Sequence, residues 1–163
     1  MKRDLSFGSL LTTITAGLFG IFASISPAFW GFANSMNTST GKIAHPEFFV
    51  GVVGCALLIV LGLIAIILSI IGIFKKGKCL AITTLVFQGL LFVGALLAFI
   101  GGINMSAGAD PEEIIMIALQ CFLPFVALIL AYAGAFVLNL FNVLRMKKEA
   151  TSIETEKDDK VVA

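Results

Sequence analysis

One histidine and three cysteines are the side chains best suited to metal or redox chemistry in this 163-residue chain. Their spacing supports neither. Cys55, Cys79 and Cys121 contain no C-x-x-C pair, the arrangement a membrane disulfide oxidoreductase requires. Cys55 and Cys121 fall at similar expected depth, where a buried cysteine behaves as a small apolar residue. His45 has no second histidine to pair with, so paired axial ligation of haem within one chain is impossible. H-E-x-x-H, a P-loop and G-x-S-x-G are all missing. Glu112-Glu113, beside Asp110-Pro111, is the one adjacent acid pair outside the C-terminal tail. It reads as a helix start, with Asp110 as the cap, Pro111 as the first helical residue and the acids on the positive end of the macrodipole. The sequence therefore predicts no catalytic, cofactor-binding or metal-ligating residue, and no cofactor. A net charge of +1 points to no nucleic-acid partner.

What remains is uncharged polar chemistry inside apolar runs. Gln88 lies roughly 14 Å in from the expected cytoplasmic end of its helix, and Thr12 and Thr13 lie at about the same depth on the first helix. Gln120 is roughly 10 Å in from the outer end of the fourth helix, too far along the membrane normal to pair with Gln88. Thr13, Thr84, Gln88 and Gln120 have two readings. In the first they clasp helices together, each bond contributing ~0.6–2 kcal/mol. In the second they line a water-filled path. Pro124 fits the first, because proline frees a carbonyl one turn back for Gln120 to reach.

The elements that must position these groups are set by charge. The chain is 59% hydrophobic and 13% charged, against about 25% charged in a water-soluble domain. No Asp, Glu, Lys or Arg occurs in Leu5–Gly41, Phe48–Phe74, Cys79–Ala109 or Ile114–Leu144. Each block exceeds the about 20 residues that cross a bilayer core as a helix. Continuous apolar runs exclude the alternation of barrel strands. The prediction is an all-α membrane protein with transmembrane helices over Leu5–Ala33, Phe48–Phe74, Cys79–Gly102 and Ile114–Leu144. They form one domain, residues 1–149, followed by a mobile cytoplasmic tail, residues 150–163.

Orientation follows from Lys and Arg near the helix ends. Lys2, Arg3, Lys75, Lys76, Lys78, Arg145, Lys147 and Lys148 all fall on the side holding both termini. The opposite loops carry Lys42 alone against Glu47, Asp110, Glu112 and Glu113. Both termini are expected in the cytoplasm, at the cell membrane. The first apolar run is about twice the 7–15 residues of a signal-peptide core, so it reads as a retained helix. Asn37-Thr38-Ser39 and Asn104-Met105-Ser106 match the glycosylation pattern, each within a few residues of a helix end where modification is poor. Cys79 follows Lys78 at the inner edge, where S-acylation occurs. Trp30, with Phe29 and Phe32, sits where an interfacial aromatic anchor belongs.

Helices in lipid associate through small residues and a few hydrogen bonds. In the second helix Gly51, Cys55, Leu58, Gly62, Ala65, Ser69 and Gly72 recur at steps of four and three. Ser9, Thr13, Ala16, Gly20, Ala23 and Pro27 do so in the first, and Ala81, Thr84, Gln88, Leu91, Ala95, Ala98 and Gly102 in the third. The fourth offers Gln120, Pro124, Ala127, Ala131 and Gly134. A 3.5-residue repeat with short loops predicts an antiparallel, left-handed four-helix bundle. Four-span outlines are shared by unrelated families; the first outer loop is too short and Cys-poor for a claudin. The first helix also lacks the acidic residue of small multidrug exporters.

The absence of ionisable groups at depth removes most proton-coupled and catalytic mechanisms. The function expected is a non-catalytic multi-pass membrane protein. It would act as a structural or accessory subunit, its small-residue faces packing against another integral membrane protein or a second copy within the lipid bilayer. On that expectation Gly62→Leu disturbs assembly more than Leu61→Ala. The alternative is a small homo-oligomeric channel or carrier for a neutral or lipid-like solute.

Overall fold

In the computed structural model, which describes residues 4–36, 46–75, 77–107 and 110–162, every long element is a helix. They are α1 (Asp4–Ser35), α2 (Pro46–Phe74), α3 (Lys78–Ser106), α4 (Pro111–Ile117), a π-helical turn (Ala118–Phe122) and α5 (Leu123–Val162). The last three run on as one continuous span. Side chains are described for residues 7–36, 48–75, 77–107 and 110–148. Lys2, Arg3, Asn37, Lys42, His45 and Lys76, and the side chains of Glu47 and the tail, lie outside the described residues.

Four helices are long and apolar enough to cross a membrane: Phe7–Ser35, Phe48–Phe74, Lys78–Ser106 and Pro111–Lys148. At 1.5 Å per residue the first three are roughly 40–44 Å long, more than a ~30 Å hydrocarbon core needs. The segments read from the sequence are therefore extended by a turn or less at most ends. Helix α3 runs through Asn104, so that acceptor motif lies in a last turn rather than in a loop. Helix α5 continues to Val162, so the backbone of the tail is helical. The chain turns from α2 into α3 within three residues, Lys75–Gly77. Asp110 and Pro111 start the fourth span as expected, with Glu113 Oε2 accepting the Asp110 backbone N–H at 3.4 Å.

Helices α1 and α3 both pack against α2 and against α5 and also meet each other across the centre, whereas α2 and α5 make no contact among the described residues. Gly51 meets Gly101 and Gly54 meets Ala98 across α2–α3, and Gly17 meets Ile66 while Gly72 meets Leu10 across α1–α2. The core between the helices holds Cys55, Leu58, Leu91, Phe125, Leu128 and Tyr132. Phe29, Trp30 and Phe32 are exposed near the outer end of α1.

Most hydroxyls in the spans are satisfied within their own helix. Thr12, Thr15, Thr83 and Thr84 each donate to the carbonyl four residues back, at 2.8–3.0 Å. This is the ordinary way for Ser and Thr to reside in an apolar helix.

Candidate functional site

The polar groups that reach between helices gather at one level. Gln88 of α3 has no exposed surface. Its Nε2 donates to Thr13 Oγ1 at 2.7 Å and to Ser9 Oγ at 3.1 Å, both on α1. Its Oε1 accepts from Asn139 Nδ2 of α5 at 3.2 Å. The second Asn139 N–H goes to the Ala81 carbonyl of α3 at 3.1 Å. Ser9 passes its own proton to the Ala135 carbonyl of α5 at 2.8 Å, and Thr13 passes its proton to the Ser9 carbonyl at 2.8 Å.

Counting donors shows what this layer can do. Each amide has two N–H groups and each hydroxyl one O–H, and all of them are used inside the chain. No donor is left to coordinate a solute, and no member titrates near neutral pH. The layer's chemistry is geometric: it fixes α1, α3 and α5 at a common depth. Interhelical bonds of this type contribute about 0.6 kcal/mol each on average and up to ~1.7. Removing one member leaves buried partners unmatched, which costs about 1–3 kcal/mol per group.

The structure brings together two of the four polar residues singled out from sequence, Thr13 and Gln88. Thr84 is buried one turn away but bonds only to Leu80 of its own helix. Gln120 is exposed in the N-terminal half of the fourth span and makes no side-chain hydrogen bond among the described residues. Asn139, equally central, was not among the sequence-derived candidates. The signal was there: it is an amide inside the last uncharged block, six residues before Arg145, at a depth of roughly 9 Å. Ser9 was visible only as a small residue in a stripe, not as an acceptor.

The small residues fall differently on different helices. Gly51, Cys55, Gly62, Ala65 and Ser69 of α2 and Ala16 and Gly20 of α1 are buried, and Gly72 is half-buried. Those stripes are consumed inside the chain. On the fourth span the buried line is Ile117, Cys121, Phe125, Leu128, Tyr132, Ala135 and Asn139. It runs one residue later than the small-residue stripe, so Gln120, Ala127 and Gly134 face outward. The reason is complementarity of size. Tyr132 and Leu128 fill the space above Gly20, whose Cβ would stand 3.2 Å from the tyrosine hydroxyl. Phe122 packs its ring tilted by 59° against Phe99 (ring centroids 5.5 Å apart) beside Gly102.

Two further features lie away from the layer. Cys55 and Cys121 are buried free thiols in the same core cluster, while Cys79 is free and exposed at the start of α3. The hydroxyls of Ser24, Ser69 and Tyr132 are buried without a hydrogen-bond partner among the described residues.

No family model, curated protein or solved structure matches this chain. The functional reading therefore rests on the geometry alone.

Proposed function

We propose that this protein is a non-catalytic subunit of the cell membrane that associates with another integral membrane protein, or with a second copy, through the outward face of its fourth span. One observation carries this. The small-residue stripes of α1, α2 and α3 are largely used up between the helices, whereas three of the five stripe residues of the fourth span stay uncovered. Pro124 and Ala131 are half-buried. Gln120, Ala127 and Gly134 are exposed at intervals of seven residues, and a methyl group on Gly134 would meet nothing within 4 Å. A seven-residue repeat keeps one seam facing one partner helix in a left-handed crossing. Its small residues permit close backbone approach. Gln120 gives the seam an amide able to donate and accept at once.

In this reading both termini are cytoplasmic, on the distribution of Lys and Arg, and the four spans form a left-handed bundle. The clasp of Gln88 is internal to the subunit and keeps α5 at the depth where its outer seam meets a partner. Gly62→Leu then tests folding of the chain rather than assembly, because Gly62 lies between α1 and α2 beside Ile21.

The experiment is the mass of the protein in nanodiscs and after cross-linking in native membranes. Ala127→Leu and Gly134→Leu are expected to lower the assembled fraction, while Leu63→Ala on the exposed face of α2 leaves it unchanged. A strictly monomeric protein with no cross-linked partner rejects the proposal.

A further inference from the structure

We infer that the outer end of the fourth span has two helical registers one residue apart, and that α4 turns between them about the π turn. The buried line of this span shows the extra residue. From Phe125 inward the buried positions are 125, 128, 132, 135 and 139, alternating steps of three and four. From Phe125 outward they are 121 and 117, two steps of four. An unbroken α-helix at 3.6 residues per turn would turn Cys121, Ile117 and Ile114 all inward. Here Ile114 is 40% exposed, Ile117 is buried at 9%, and the Leu123 N–H reaches back five residues to the Ala118 carbonyl.

Pro124 explains why the extra residue is held. Proline has no N–H to give the Gln120 carbonyl, and in a regular helix its ring presses on that carbonyl. A π turn immediately before the proline widens the spiral there. The residues beyond it are indifferent to which register they adopt. Ile114-Ile115-Met116-Ile117 presents an apolar side chain in every direction, so turning α4 to the unbroken register brings Ile114 inward beside Ile117. Ile117 is the one buried residue of α4, so little else holds this segment. Facing the turn, α3 offers Gly102, whose Cβ would stand 3.0 Å from that of Cys121.

One residue of register is about 100° of rotation. The exchange therefore swings Asp110, Glu112 and Glu113 around the rim of the bundle and changes which apolar face the outer half shows to its surroundings. Burial of Ile114 favours the unbroken register and Pro124 favours the π turn, so the two oppose each other.

The test places a trifluoromethyl tag on Ile114→Cys in the full chain carrying Cys79→Ala, Cys55 and Cys121 being buried. Fluorine spectra are read in nanodiscs with and without dissolved oxygen, which broadens lipid-facing groups. The expected result is two resonances: a major one broadened by oxygen and a minor one protected from it. Pro124→Ala makes the protected resonance the major one. Deleting Leu119, which removes the extra residue and leaves Ile117 inward in an unbroken helix, abolishes it. A single oxygen-broadened resonance in the tagged chain with Pro124 intact overturns the inference, whatever the proline variant does.

Discussion

Helix α2 and helix α5 stand at opposite corners, pack against the same two neighbours, and are held by different physics. The α2 seams bring backbone against backbone. A methyl group on Gly54 would overlap Ala98 and lie 2.7 Å from the Gly94 carbonyl, and one on Gly101 would overlap Gly51. None of the amide hydrogen bonds between helices involves α2, and the Ser69 hydroxyl is left without a partner among the described residues. The α5 seams instead set Tyr132, Leu128 and Phe136 over glycines of α1 and α3. They then fix the depth with Asn139 and the Ala135 carbonyl. The first arrangement depends on the absence of side chains and the second on their direction. Close approach selects a face; amides select a height.

The comparison predicts an order of mutational effects. Gly54→Leu forces apart two backbones with no room to yield, so its effect should reach or exceed the upper end of the ~1–3 kcal/mol typical of overpacking. Unfolding in mixed detergent micelles measures it, and a loss below that of the clasp variants would break the comparison. Gln88→Leu comes next: it strands the acceptors on Ser9 and Thr13 and one Asn139 N–H, for an expected loss of about 2–3 kcal/mol. Asn139→Leu should cost about 1–2 kcal/mol. A double-mutant cycle between Gln88 and Asn139 sharpens the point, with an expected coupling of ~0.6–1.7 kcal/mol. Zero coupling would mean that α5 is held by shape alone. Smallest of all, Ala127→Leu and Gly134→Leu should change stability by less than about 0.5 kcal/mol, while lowering the assembled fraction.

The sequence made the spans readable because charge is excluded from hydrocarbon, and a break in charge needs no partner to be seen. It also made α2 readable, since small residues recur along its whole length and nothing larger competes for that face. The fourth span was misphased by one residue for the opposite reason. Its inward face carries Phe125, Leu128 and Tyr132, whose fit depends on Gly20 and other small residues of neighbouring helices. A rule that seeks small residues on each helix separately finds the outward stripe. Gln88 stood out as a lone amide deep in its run. Asn139 did not, because its role exists only when α3 and α5 are brought side by side. The π turn was announced by Pro124 only as a weakened helix, and its register needed the buried positions on either side.

The clasp also imposes an order on biogenesis. Helices leave the ribosome in sequence, and α1, α2 and α3 already contain glycine seams that close without the fourth span. Gln88 finds both acceptors for its N–H groups on α1, so the three-helix intermediate carries no orphaned amide donor at that level. Asn139 arrives last, bringing two N–H groups that lipid cannot satisfy. Only one depth of insertion offers them the Ala81 carbonyl and the Gln88 oxygen together. A chain truncated before residue 139 keeps only the Ser9–Ala135 bond as a polar tie to the fourth span.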